Sequence, residues 1–134
     1  MSDLRRRLIE AAREVRLNAA AAFSHFLVGS ALQAEDGRVF TGCNVENATY
    51  GLTVCAERVA AFKAVSEGVR QFVRVAVVAD TQDPTPPCGA CRQVLWELCG
   101  DVEVILANLD AEKAHYQLAG LLPHPFDARL LAEK

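Results

Sequence analysis

The sequence is short of several things whose absence narrows its function. Across 134 residues, 14 lysines and arginines face 17 aspartates and glutamates, a net charge of −3. Without a basic surplus there is no electrostatic footprint for a nucleic-acid backbone, so nucleic acid is not an expected partner. A long apolar run is also missing. The longest uncharged stretch, Leu17 to Ala34, reaches the lower limit of a membrane span, but Asn18, Ser24, His25, Ser30 and Gln33 interrupt it and Gly29 would loosen a helix there. No membrane association is expected. Arg5, Arg6 and Arg7 are followed by Glu10, Arg13 and Glu14 rather than by an apolar core, so the chain reads as cytoplasmic and not secreted. Repeats and low-complexity tracts are absent, and 51% of the residues are hydrophobic, which fits one domain over residues 1–134.

What is present alternates between helix and strand signals. Leu4, Leu8, Ala11, Ala12, Val15 and Ala19 recur at steps of three and four, which predicts an amphipathic helix over about residues 3–20. Runs at 26–32 and 38–45 suit two strands joined by the turn Glu35-Asp36-Gly37, an antiparallel pair. A loop over 46–53 leads to a helix over 55–67 that should stop at Gly68, then to a buried strand over 72–79. A second crossover helix over 89–99 ends at Gly100 and precedes a strand over 102–107. Two strand–helix–strand units in succession predict a parallel core with right-handed crossovers. The five residues 108–112 are too few for a further crossover, so a weak last strand over 113–118 should run antiparallel. The expected fold is α/β: a single-domain α/β/α layered arrangement with a five-stranded mixed sheet and two crossover helices that open on cysteines.

Five cysteines in a chain of this length and compartment point to metal binding or catalysis rather than to disulfides. Cys88-Gly89-Ala90-Cys91 follows the Pro-rich stretch 84–87 and opens a helix, where free amide N–H groups and the helix dipole favour thiolates. The same spacing serves redox dithiols. Cys55-Ala56-Glu57, however, places a third thiol at the start of the other crossover helix, and two parallel crossovers bring both helix N-termini to one edge of the sheet. Three soft ligands with a fourth position open form the pattern of a catalytic zinc, whereas a structural zinc closes with four. His25, His115 and His124 are the histidines available to close it, and none stands at metal-ligand spacing from a cysteine.

Glu57, two positions past Cys55, can lie beside a metal without binding it, and a ligand-x-Glu followed by Pro-Cys-x-x-Cys is the layout of zinc deaminases, in which the Glu carries protons. Three thiolates around a zinc dication leave one net negative charge, which Arg58 could offset by a hydrogen bond to a thiolate. Pairing with a surface carboxylate is the competing reading of Arg58. Cys43 and Cys99 fall outside the metal set and read as small buried apolar groups.

The chain resembles the short, homotetrameric, zinc-dependent cytidine deaminases. The resemblance runs through Phe23-Ser24-His25-Phe26, Val28-Gly29-Ser30-Ala31-Leu32, Gly42-Cys43-Asn44-Val45-Glu46-Asn47, Cys55-Ala56-Glu57-Arg58, Ser66-Glu67-Gly68, Pro87-Cys88-Gly89-Ala90-Cys91-Arg92-Gln93 and Leu121-Leu122-Pro123. It implies one zinc ion per subunit on Cys55, Cys88 and Cys91, and Glu57 as proton shuttle. It further implies Asn44 and Glu46 on the ribose 3′-hydroxyl, Phe26 stacked near the base, and Ala56 among the substrate contacts. Phe126 would reach a neighbouring subunit's site in a homotetramer. A blasticidin-type deaminase shares the neighbourhoods of Cys55 and Cys88, but Asn44-Val45-Glu46-Asn47 speaks for a nucleoside substrate. The expected reaction is deamination of cytidine and 2′-deoxycytidine in pyrimidine salvage. The rivals are a polynucleotide-editing deaminase, a zinc-stabilised module without turnover and a thiol–disulfide enzyme.

Overall fold

The structure is a computed structural model that describes residues 3–131. Helix α1 covers Asp3–Arg16, strand β1 Val28–Ala34, β2 Val39–Cys43, α2 Ala56–Ser66, β3 Phe72–Ala79, α3 Gly89–Cys99, β4 Glu103–Ala107, β5 Glu112–Gln117 and the short α4 Leu118–Leu121. The five strands form one sheet in the order β2-β1-β3-β4-β5. Alternation along the strands divides the core between the two faces. Ala76, Val78, Ile105 and Ala107 pack against Leu8, Ile9 and Ala12 of α1. On the opposite face Val75, Val77, Val104 and Leu106 pack with Ala60, Ala61 and Ala64 of α2 and Leu95 of α3. The layered mixed sheet expected from the sequence is therefore present, and β5 runs antiparallel to β4.

Three expectations need correction. The first helix ends at Arg16, not near residue 20. Leu17, Asn18 and Ala19 bond back to carbonyls only three residues earlier, which tightens the last turn, and Ala20 then leaves to donate to Asn44 O at 3.0 Å. The buried stripe of α1 is Leu8, Ile9 and Ala12, while Leu4 is exposed. The first strand begins at Val28 rather than at residue 26, because the Phe26 carbonyl is taken by the side chain of Asn44.

The core is also less parallel than two successive crossovers suggested. Strand β1 sits between β2 and β3 and runs antiparallel to both, so among the described strands the one parallel pair is β3 with β4. Six of the seven β1 residues are buried, whereas β2 starts exposed, so β1 takes the interior and β2 the edge. Because β2 and β3 still run in the same direction, both crossover helices begin at one edge of the sheet. Glycines at two strands let the helices approach closely. A Cβ at Gly29 would lie 1.9 Å from Ala12 O of α1, and one at Gly42 would lie 2.5 Å from both Ala56 O and Ala60 N of α2.

Candidate active site and metal centre

Cys55 and Cys88 are the residues that cap α2 and α3, so both thiols stand where unpaired helix N–H groups and the macrodipole favour negative charge. Cys88 Sγ accepts from Cys91 N at 3.4 Å, which turns the first residues of α3 so that Cys91 faces the same point. The Sγ atoms of Cys55 and Cys88 are 3.9 Å apart and those of Cys88 and Cys91 3.3 Å, and all three lie within 4.8 Å of one another. Zinc–sulfur bonds of about 2.3 Å in a tetrahedron put ligand sulfurs about 3.8 Å apart, so the donor set fits zinc in softness and in span. Among the described residues no fourth ligand atom joins this cluster, and none of the three histidines does so. A closed four-ligand structural site is therefore not what these residues build.

Charge is arranged unevenly around the thiols. The neighbouring Cys91 thiol and the Arg58 guanidinium, whose Nη2 lies 3.5 Å from Cys55 Sγ, bring the Cys55 thiol down to about 5 against the opposing effect of burial. Cys91 is pushed up by the neighbouring Cys55 and by its burial. Arg58 Nε is buried without a hydrogen-bond partner, and no carboxylate forms an ion pair with Arg58 among the described residues. Glu57 is 4% exposed, and burial, followed by the nearby Cys55, pushes its carboxyl up to about 7.

Cys55, Cys88 and Glu57 line a cavity of about 250 Å³ together with Ser24, Phe26, Val28, Asn44, Glu46, Thr53, Ala56, Val77, Thr85 and Pro86. A second, more open cavity of about 350 Å³ adjoins it across Ser24, Glu46 and Thr53 and is completed by Phe23, Asn47 and Tyr50. Asn44 is 8% exposed; its Oδ1 accepts from Val28 N at 2.9 Å and its Nδ2 donates to Phe26 O at 2.8 Å. Glu46 accepts from Phe23 N and Ser24 N at 3.0 Å each and from the Ser24 hydroxyl, and these bonds, led by the hydroxyl, hold its carboxyl below the usual carboxylate range. The loop carrying both residues is pinned by two Val45–Val54 backbone bonds of 2.9 Å, which also set the approach to Cys55.

Phe126 does not line this cavity. It is 59% exposed, and the tail around it is tied to α3 by Gln93 Nε2 donating to Phe126 O at 2.7 Å and Trp96 Nε1 donating to Asp127 Oδ2 at 2.8 Å. Cys43 and Cys99 are partly rather than fully buried, and burial pushes the Cys99 thiol up to about 12. Sequence reasoning named every cysteine of the cluster but assigned nothing to Ser24, Thr53, Val77, Thr85 or Pro86. Ser24, two residues before Phe26, carried the signal of a side chain that bonds local backbone, whereas Val77 reads as one more core valine.

A family model described as the cytidine and deoxycytidylate deaminase zinc-binding region matches residues 2–108. That span holds both cysteine-bearing helix starts and the Asn44–Glu46 loop, so fold and site together are those of a zinc-binding deaminase. The chain is 53% identical to the cytidine deaminase of Halalkalibacterium halodurans, over 92% of this chain and 95% of that protein. It is 51% identical to the cytidine deaminase of Sporosarcina psychrophila, over 90% of this chain and 89% of that protein. The crystal structure of cytidine deaminase from Burkholderia pseudomallei superposes with a TM-score of 0.88 at 48% identity, covering 94% of this chain and all of that one. The chain belongs to the cytidine deaminase family, and with that membership it is a hydrolase. Among the described residues no helix is long and apolar enough to cross a membrane.

Proposed function

We propose that the chain, acting as a single domain, hydrolyses cytidine and 2′-deoxycytidine to uridine and 2′-deoxyuridine with release of ammonia. The observation that carries this reading is convergence: three thiols lie within 4.8 Å of one another, and two of them, Cys55 and Cys88, line a cavity with the buried carboxyl of Glu57 and with Asn44, Glu46 and Phe26. One zinc ion on Cys55, Cys88 and Cys91 supplies a Lewis acid that makes water more acidic.

Glu57 performs the proton transfers. As water adds to C4 of the base, its carboxylate takes the water proton and delivers it to N3. It then relays the second proton from the new C4 hydroxyl to the exocyclic amine, the C4–N bond breaks, ammonia leaves, and the C4 carbonyl forms. A carboxyl near pH 7 both accepts and returns a proton at little cost. Arg58 offsets the excess negative charge of the thiolates. Asn44 keeps one Nδ2 hydrogen and Glu46 part of its acceptor capacity beyond their loop contacts, and these hold the sugar 3′-hydroxyl. Phe26 stacks on the base, Ala56 in the first turn of α2 adds a backbone contact, and Phe126 completes the site of a neighbouring subunit in a homotetramer. The cellular role that follows is cytoplasmic pyrimidine salvage.

The test is the ultraviolet change of cytidine and 2′-deoxycytidine mixed with zinc-loaded protein, with ammonia measured in parallel. Turnover of both, with equimolar ammonia, is expected. Intact zinc with no turnover of either would overturn the proposal.

A further inference from the structure

The hydroxyl of Ser24 sits at a junction that the reaction chemistry does not use directly. Its oxygen accepts from Phe26 N at 3.0 Å and it bonds to Glu46 Oε2, while Ser24 N and Phe23 N both donate to Glu46 Oε1 at 3.0 Å. A serine hydroxyl has one hydrogen and two lone pairs. With Phe26 N donating to it, and an ionised carboxylate able only to accept, that single hydrogen is directed at Glu46. The carboxylate is thus gripped on both oxygens, by two amides on Oε1 and one hydroxyl on Oε2, and the lone pair left on Oε2 points where the hydroxyl permits. The backbone reinforces the grip. Glu46 N donates to Ala20 O at 2.8 Å, and His25 adopts a left-handed conformation (φ 57°) while its N donates to Ala21 O at 2.9 Å, which closes the turn bearing Ser24. Ser24 and Glu46 line both adjoining cavities, so this contact lies at the junction between them, on the side that the function proposed above gives to the sugar.

We infer that Ser24 is a positioning residue for sugar recognition: it orients the Glu46 carboxylate so that one acceptor site is presented to the 3′-hydroxyl. The inference rests on the sugar role proposed for Glu46. It places Ser24 outside the chemistry at C4, so its loss acts on substrate affinity and leaves the proton transfers of Glu57 in place.

The experiment compares the zinc-loaded full chain and its Ser24→Ala and Ser24→Thr variants on cytidine and on 3′-deoxycytidine, with Glu46→Gln as reference. Hydrogen bonds to charged groups are among the stronger ones, so Ser24→Ala should raise KM for cytidine about tenfold more than for 3′-deoxycytidine, with kcat within about twofold. Ser24→Thr, which keeps a hydroxyl, should restore the wild-type preference. A loosened turn would raise both KM values together and leave the preference intact, and that result would overturn the inference. If the unaltered chain and Glu46→Gln both treated the two substrates alike, the sugar role of Glu46 would fall and the inference with it. If the unaltered chain prefers cytidine and Ser24→Ala prefers it equally, only the role of Ser24 falls.

Discussion

The two faces of the sheet handle polar groups in opposite ways. On the α1 side, charges drawn toward the protein are paired: Arg5 reaches Glu103 at 2.6 Å and Glu112 at 2.8 Å, and Arg74 bonds Glu103 at 3.2 Å and Gln33 at 2.7 Å. At the starts of α2 and α3 the protein does the reverse. Glu57 is buried with its carboxyl pushed up to about 7, Arg58 Nε has no hydrogen-bond partner among the described residues, and three thiols crowd one point. Satisfied polar groups hold a structure together, whereas buried ones left short of partners are tolerated where chemistry uses them. The first face is built for stability and the second for reaction.

Removing Glu57 is the strongest way to test that division. Glu57→Ala should lower kcat by at least about 10²–10⁴-fold, the usual worth of a positioned proton carrier, while zinc content and the melting temperature hold or improve. Steady-state rates and metal analysis check this, and a variant that kept wild-type turnover would place the chemistry elsewhere.

The two close-packed glycines give a matched pair. Gly42→Ala forces the first turn of α2 away from β2 and should weaken zinc binding about 10- to 100-fold, the effect of disturbing groups that orient metal ligands. Gly29→Ala should cost about 1–3 kcal/mol of stability through overpacking against α1, with zinc affinity unchanged in the folded protein. Chelator competition and thermal melting separate them, and equal losses of zinc affinity would erase the contrast between the faces.

A smaller effect is expected at Arg58. Arg58→Ala removes the positive charge beside Cys55, so the attacking water should be activated only at higher pH, and the pH of half-maximal rate should rise by roughly one unit with zinc retained. An unchanged pH–rate profile would count against it.

The smallest effect lies on the stability face. Burial alone would raise the Glu103 carboxyl, but hydrogen bonds from Arg5 and Arg74 outweigh it and hold the carboxyl below its ordinary value. A carboxyl depressed in the folded state contributes stability above its unfolded pKa, and that contribution is lost as pH falls through the folded one. Glu103→Gln should therefore flatten the acid side of the stability curve by no more than about 1 kcal/mol, since the pairs are partly exposed. Denaturant melts at pH 3 and pH 7 read the difference.

The sequence by itself determined the layered α/β class, the antiparallel last strand, the stops at Gly68 and Gly100 and the three cysteines with Glu57. These are local facts: periodicity, turn chemistry and ligand spacing act within a few residues, or through helix starts that topology carries to one sheet edge. Only the tertiary structure decided that β1 lies between β2 and β3, because burial on both faces is a property of neighbours and not of the strand's own pattern. It alone ended α1 at Arg16, where Ala20 is drawn to Asn44, and it alone placed Ala56 against Gly42 and Ser24 against Glu46. Each of these contacts joins residues that no local pattern links, so their partners are chosen only when the chain has folded.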